Sequence, residues 1–119
     1  MKFSVNQQDL QKSLNYCQGV IEKRSTLPIL SNVLLDASNS KITITATDLD
    51  LIFIQEIKNV EIHNEGKTTV QSSIMYDIIR KFASGKKINL SLTEENKLQL
   101  ESEKSIFNLN CISSSEFPL

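Results

Sequence analysis

Two carboxylates, Asp48 and Asp50, stand two positions apart between runs rich in Val, Ile, Leu and Thr. In extended chain, residues i and i+2 lie on one face, so such a pair could hold a divalent metal ion. No third acid, lysine or histidine lies close by in the sequence to complete a phosphoryl-transfer site. We therefore favour a turn between two strands and keep a metal-dependent enzyme as the weakest alternative.

A serine cluster at 113–115 is the second arrangement that could do chemistry, as the source of a nucleophile. No glycine elbow precedes it, and the chain's one histidine, His63, follows a strand-like alternation far away in the sequence. The cysteines, Cys17 and Cys111, have no metal-ligand spacing. We therefore predict a loop at the serines, an exposed histidine at a strand end, two buried thiols, and neither metal nor cofactor.

The totals describe one ordinary globular domain: 119 residues, 39% of them hydrophobic and 23% charged. A net charge of -1 gives no overall attraction to nucleic acid, so DNA binding would need cations gathered on one face. The chain begins directly with an alternating strand, and no apolar run approaches membrane-spanning length. We expect a cytosolic protein that does not contact membranes.

Helical periodicity begins at Gln7, with Asn6 or Gln7 placed to start the helix. Its inward face carries apolar residues at helical spacing, namely Leu10, Leu14, Cys17 and Ile21. Its outward face carries one cation and no acid, in the set Gln8, Lys12, Asn15 and Gly19. Gly19 is expected to end or loosen this helix.

A second helix is predicted to be capped by Ser72 or Ser73 and to end at Ser84-Gly85. Its inner face is predicted to hold Ile74, Ile78 and Phe82, flanked by Met75 and Ile79. The other face centres on Arg80, beside Ser73, Tyr76 and Asp77.

Strand-like alternation predicts segments 2–6, 32–37, 41–47, 51–57, 67–71, 88–92, 97–101 and 106–111, with 59–63 as a short additional edge strand. The order strand, helix, three strands therefore occurs twice, which indicates two repeats at about 1–64 and 66–119. We predict an α+β fold in which two amphipathic helices cover one face of an antiparallel sheet.

Basic side chains gather around the two predicted helices, whereas most acids fall on strands and turns. Near the helices, Lys12, Lys23, Arg24, Arg80 and Lys81 stand against Asp9, Glu22 and Asp77. One interpretation is two ordinary solvated helix faces. The other is a weakly positive surface that follows duplex phosphates without reading bases.

Two further segments could meet partners. Arg24 lies on an exposed connection between the first helix and the sheet, and the proline in Leu27-Pro28 is expected to begin extended chain there. The last strand holds Phe107 and Leu109 on one face and could form a sheet edge suited to strand addition by another chain. An adaptor that binds protein through this edge and never meets DNA is therefore an alternative function.

A set of residues spread over the whole chain follows the pattern of one family: Met1-Lys2-Phe3, Leu10, Lys12, Leu14, Arg24, Thr26-Leu27-Pro28-Ile29-Leu30, Asn32, Leu34-Leu35, Thr47-Asp48-Leu49, Thr68-Thr69-Val70, Asp77-Ile78, Arg80, Phe107, Leu109 and Phe117-Pro118. In order and spacing they resemble the first domain of the bacterial DNA polymerase III beta subunit, the replicative sliding clamp.

The resemblance implies a DNA-clamp fold and a fragment of a three-domain chain, two copies of which close head to tail into a ring around double-stranded DNA. It implies a non-catalytic processivity factor, whose later domains bind the polymerase catalytic subunit and the clamp loader. Arg24, Lys12, Arg80 and Lys23 would contact DNA. Phe107, Leu109, Lys104 and Ile74 would belong to the ring-closing interface. The isolated domain is expected to be a monomer.

Overall fold

The computed structural model describes residues 1–21 and 27–119, and within them the chain forms two α-helices and nine β-strands. In chain order these elements are β1 (Lys2–Asn6), α1 (Gln7–Gln18), β2 (Asn32–Ser38), β3 (Lys41–Thr47), β4 (Ile52–Ile57), β5 (Val60–Asn64), β6 (Gly66–Gln71), α2 (Ser72–Ile79), β7 (Lys87–Leu92), β8 (Lys97–Ser102) and β9 (Ser105–Ile112). Single 3-10 turns lie at Pro28–Ser31 and Ser114–Glu116. Each predicted strand is present with its ends within one residue of those expected.

The strands form one antiparallel sheet in the order β4-β3-β2-β6-β9-β8-β7-β1-β5. β1, which begins the first unit, pairs with β7 of the second unit, and β6, which begins the second unit, pairs with β2 of the first. The predicted repetition of element order is therefore present. The two units exchange their first strands, however, and share a single sheet.

The first unit has four strands after its helix, and the fourth is the short edge strand predicted at 59–63. β4 pairs with β3, and beyond Lys58-Asn59 the chain resumes as β5, which pairs with β1. In the second unit β9 makes both kinds of pairing, with β8 through residues 105–110 and with β6 through Cys111 and Ile112. The break at Lys58-Asn59 thus separates β4 from β5, whereas the corresponding strand of the second unit, β9, is continuous.

Both helices pack on the inner face of the sheet around one apolar core. The largest fully buried side chains are Phe3, Leu10, Leu14, Leu35, Ile42, Ile44, Met75, Ile79, Ile88, Leu90, Leu98 and Leu100. Each such side chain contributes about 1.5–3 kcal/mol by leaving water. This burial holds the helices in place, because α2 has only 8 residues and would not be stable alone.

The first helix begins and ends where its cap residues predict. The Asn6 side chain accepts a hydrogen bond from the backbone N–H of Gln8 at 2.9 Å, and Gly19 occupies the C-terminal cap. Leu10, Leu14 and Cys17 are buried as predicted. Ile21 lies beyond the helix end and packs only partly against the core.

The prediction for the second helix was wrong in its end, its buried face and its N-terminal cap. The helix ends at Ile79 with Arg80 as its C-terminal cap, five residues before the predicted Ser84-Gly85. The residues facing inward are Ser72, Met75 and Ile79, while Ile74 points outward with 47% of its surface exposed. Because four apolar residues cover half the circumference of this short helix, hydrophobicity alone does not select the buried stripe. No serine caps the helix either: Gln71 holds the cap position without a side-chain bond, and Ser72 turns its hydroxyl toward α1.

Two smaller expectations also need correction. Leu27 is extended, but Pro28 opens a 3-10 turn before β2, since proline suits the first position of a helical turn. Both cysteines are free, and burial raises the pKa of the Cys17 thiol to about 11. Cys111 is only half-buried, where β9 passes from β8 to β6.

Candidate nucleic-acid interface

The two helices lie side by side and run antiparallel. Three hydrogen bonds show this, because the start of α1 meets the end of α2 and the end of α1 meets the start of α2. Gln7 Nε2 donates to the Ile79 carbonyl at 2.9 Å, Tyr76 Oη to Asn15 Oδ1 at 3.2 Å, and Ser72 Oγ to Gln18 Oε1 at 3.2 Å. Gln7 is buried and also donates to Gln11 Oε1 at 2.7 Å. Polar side chains therefore fix how the helices lie against each other.

An open groove of about 460 Å³ runs along this helix pair. Its lining comes from both helices and the segment after α2, and consists of Gln7, Gln8, Gln11, Lys12, Asn15, Tyr76, Arg80, Phe82 and Ser84. Lys12 and Arg80 thus share one face, and none of the described residues that line the groove is acidic. Such a surface offers two cations and several amide groups to an anion.

Arg80 is held by an aromatic ring. Its guanidinium carbon lies 5.2 Å from the centroid of the Tyr76 ring, within the range of a cation–π contact. Arg80 is exposed, whereas Tyr76 is half-buried and reaches across to Asn15 on α1. The i, i+4 spacing of Tyr76 and Arg80 on a helix is a signal that could have identified this pair from the sequence.

The groove cations form no ion pair with the acids of the described residues, although Asp9 and Glu56 line a neighbouring depression with Lys12. Three ion pairs are present in residues 1–21 and 27–119, namely Lys41–Glu56, Lys86–Glu103 and Lys87–Glu61, and neither Lys12 nor Arg80 takes part in them. The hydrogen bond from Lys41, together with its charge, holds the pKa of Glu56 below its ordinary value, and Lys87 does the same for Glu61. The two groove cations therefore keep their charge available for a ligand.

Two of the predicted DNA contacts, Lys23 and Arg24, lie outside the described residues. The contact of Lys12 and Arg80 with DNA remains a prediction, although the structure brings the two side chains together.

Two of the predicted interface residues, Phe107 and Leu109, lie on β9. Residues 105–110 pair with β8 on one side, and within the described chain no strand pairs with their other side. Phe107 and Leu109 are half-buried on the inner face, where the Phe107 ring meets the Phe82 ring edge-on at 5.6 Å between centroids. β9 therefore presents a free backbone edge next to an apolar face.

The other two predicted interface residues lie at opposite ends of this strand. Lys104 is exposed in the turn between β8 and β9. Ile74 on α2 shares an apolar depression with Asn110, Cys111 and Ile112, at the far end. The four residues thus form a line along β9, with Lys104 and Ile74 separated by most of its length.

The alternative catalytic arrangements have structural explanations. Asp48 Oδ1 accepts hydrogen bonds from the backbone N–H groups of Asp50 and Leu51 at 3.0 and 2.7 Å, which makes it a turn-forming residue. His63 Nε2 lies 3.5 Å from Ser4 Oγ, on another part of the sheet from the serine cluster. Ser113 Oγ bonds instead to Ser115. No group of three potential metal ligands occurs among the described residues.

In the part of the chain that the structure describes, neither helix is long and apolar enough to cross a membrane.

Comparison with known proteins identifies the family. Residues 1–119 match the model of the DNA polymerase III beta subunit, N-terminal domain. The beta sliding clamp of Caulobacter vibrioides (strain NA1000 / CB15N) is 35% identical over 120 residues, which cover 100% of this chain and 32% of that protein. The Escherichia coli (strain K12) beta sliding clamp is 35% identical over 118 residues, covering 99% of this chain and 32% of the relative.

Solved structures agree with this assignment. The Caulobacter crescentus pol III beta structure matches with a TM-score of 0.94 and 35% identity, over 100% of this chain and 32% of that one. A sliding clamp (DNA polymerase III subunit beta) from Bartonella birtlesii bound to griselimycin matches with a TM-score of 0.94 and 39% identity, with the same coverage. The present chain spans about a third of the length of these relatives. It belongs to the DNA polymerase III beta subunit family, as the N-terminal domain.

Proposed function

We propose that this chain is one domain of a DNA sliding clamp, a non-catalytic processivity factor that encircles duplex DNA and tethers the replicative polymerase. The observation that carries the proposal is the groove between α1 and α2, where Lys12 and Arg80 share a face that no described acid lines. The family assignment supports the same function.

The groove suits weak contact with duplex phosphates. Two cations and neutral amide side chains offer hydrogen bonds to phosphate oxygens, which position a protein on a duplex without reading its sequence. Each phosphate neutralised adds about 0.9 to the slope of log affinity against log salt, so a few cations per domain give a low, salt-sensitive affinity. A protein that must slide along DNA needs contacts of this kind. Arg24 and Lys23 are proposed to add to them.

The closed form is proposed to be a ring of two three-domain chains. Because this chain covers 32% of its relatives, three domains of its size account for their length. The free edge of β9, with Phe107 and Leu109 on its apolar face, suits strand addition by the last domain of a second chain. Lys104 and Ile74 would flank that contact. Without its partner domain, the isolated chain is expected to be a monomer.

The remaining partners are proposed to bind later domains. The polymerase catalytic subunit and the clamp loader would contact parts of the full-length protein outside these residues, in the bacterial cytoplasm. The domain itself would perform no chemistry, because its role is topological: a closed ring leaves DNA only by opening or by reaching an end.

The test is retention of the full-length protein on DNA. After loading onto nicked circular DNA by its clamp loader, the protein should stay bound through gel filtration in high salt, and it should dissociate when the circle is cut. Equal loss from circular and linear DNA would contradict the proposal.

An adaptor that binds protein through β9 and never meets DNA is the second candidate, favoured by the free strand edge. The two functions differ in one readout. A full-length protein that dimerises normally yet shows no salt-dependent association with DNA would favour the adaptor.

A further inference from the structure

Tyr76 lines the groove and contacts residues of both sides of it. Its hydroxyl donates to Asn15 Oδ1 on α1 at 3.2 Å, and its ring lies under the guanidinium of Arg80, 5.2 Å from centroid to Cζ. Asn15 lies one helical turn after Lys12, so the two residues lie on the same side of α1. One side chain therefore connects Arg80 to the helix that carries Lys12.

The ring leaves the binding edges of Arg80 accessible. A guanidinium that lies over an aromatic face is contacted on one side of its plane, while its N–H groups point outward in that plane. Those N–H groups are the ones that pair with phosphate oxygens. Arg80 forms none of the ion pairs found within residues 1–21 and 27–119, so no described carboxylate competes for them.

We propose that Tyr76 is a positioning residue for DNA binding, which restrains Arg80 in the groove before a phosphate arrives. This inference rests on the proposed clamp function, because it assigns a role within the same surface. Restraint before binding reduces the conformational entropy that an arginine loses on contact. Without the ring, the contact between Arg80 and a phosphate therefore forms only in part of the bound molecules, and binding weakens although Tyr76 carries no charge.

The salt dependence of binding separates positioning from a merely structural role. Tyr76→Leu, made in the full-length protein, removes the ring and its bond to Asn15. We expect affinity for a fluorescent primed duplex to fall about three- to tenfold, the size of a partly exposed cation–π contact. We also expect the slope of log affinity against log salt to fall by up to about 0.9, as for the loss of one phosphate contact. A loss of packing without loss of the Arg80 contact would leave that slope unchanged.

Three further variants sharpen the measurement. Tyr76→Phe keeps the ring and should retain the salt slope. In an Arg80→Gln background, Tyr76→Leu should cause no additional loss. Tyr16→Leu is the matched control, because Tyr16 is an exposed α1 tyrosine that packs edge-on against Phe53 at 6.5 Å, away from the groove residues.

The inference is overturned if Tyr76→Leu leaves the slope unchanged while Arg80→Gln lowers it, or if the two substitutions weaken binding independently. If Tyr76→Leu does not fold, Tyr76→Met fills the same half-buried space without an aromatic face and takes its place. The proposed function fails separately, when the unmodified full-length protein is not retained on circular DNA.

Discussion

Gln7 at the start of α1 donates a hydrogen bond from Nε2 to the backbone carbonyl of Ile79 at the end of α2, at 2.9 Å. The carbonyls of a helix's last turn have no partner within the helix. A side chain of α1 therefore satisfies the terminus of α2, one residue before Arg80. The position of Arg80 depends on this contact between the helices.

Replacing Gln7 with alanine should destabilise the domain by about 1–3 kcal/mol, because a buried carbonyl loses its donor. Urea unfolding of the 119-residue chain, followed by circular dichroism, measures the change. Gln8→Ala is the control, since Gln8 is exposed on the same helix and its substitution should change stability by less than about 0.5 kcal/mol. Equal effects of the two substitutions would contradict the assigned role.

Neutralising either groove cation should weaken DNA binding at low salt and make the remaining affinity less dependent on salt. Lys12→Gln and Arg80→Gln are each expected to lower the slope of log affinity against log salt by about 0.9, because each removes one phosphate contact. Titration of full-length protein against duplex DNA over a salt series measures the slope. Lys97→Gln provides the comparison, as Lys97 is exposed on β8 and does not line the groove. If the slope fell equally for all three variants, the effect would reflect the overall charge of the protein and not a binding site at the groove.

Phe107→Ala should weaken dimerisation of the full-length protein by at least about tenfold, since aromatic anchors at interface centres carry much of the binding energy. Sedimentation equilibrium gives the dissociation constant. The substitution also destabilises the domain itself, because the edge-on contact between Phe107 and Phe82 contributes about 0.5–1.5 kcal/mol to folding. Ile106→Ala, on the opposite face of the same strand, should change dimerisation less. A dimer unaffected by Phe107→Ala would argue against β9 as the interface.

The Cys17 thiol should make the fold less stable at alkaline pH. Burial raises its pKa from 9.0 to about 11 in the folded chain, so between these values the unfolded state binds fewer protons than the folded state. Stability then falls as pH rises through this window, by about 1.4 kcal/mol per pH unit at most. Urea unfolding at pH 8 and pH 10.5 should show a larger loss for the native sequence than for Cys17→Ala. An identical loss for both would refute the burial effect.

The sequence predicted most of the fold because its signals were local. Strand alternation located the strands of the sheet, and the outward face of α1 correctly included Lys12 and Asn15, which line the groove. Asn6 and Gly19 marked both ends of that helix, since capping depends on one or two residues.

The parts that failed depend on tertiary contacts. Which stripe of α2 turns inward is set by the position of α1, and that position depends on the pairing of β1 with β7 across most of the chain. The bonds of Gln7 and Tyr76 across the helix pair have the same origin. Ile74 was misplaced for this reason.

The exchange of first strands between the two units has a consequence for synthesis on the ribosome. Phe3 pairs with Leu90, so the opening strand has no second neighbour until β7 has emerged. Likewise, β2 and β3 can form a hairpin early, but β2 gains its other partner only when β6 is made. Neither half can complete its strand pairing without the other. Pairing between strands so far apart in the sequence is expected to make folding slow. The smallest unit that can complete its own sheet is therefore the whole domain, and neither half of it.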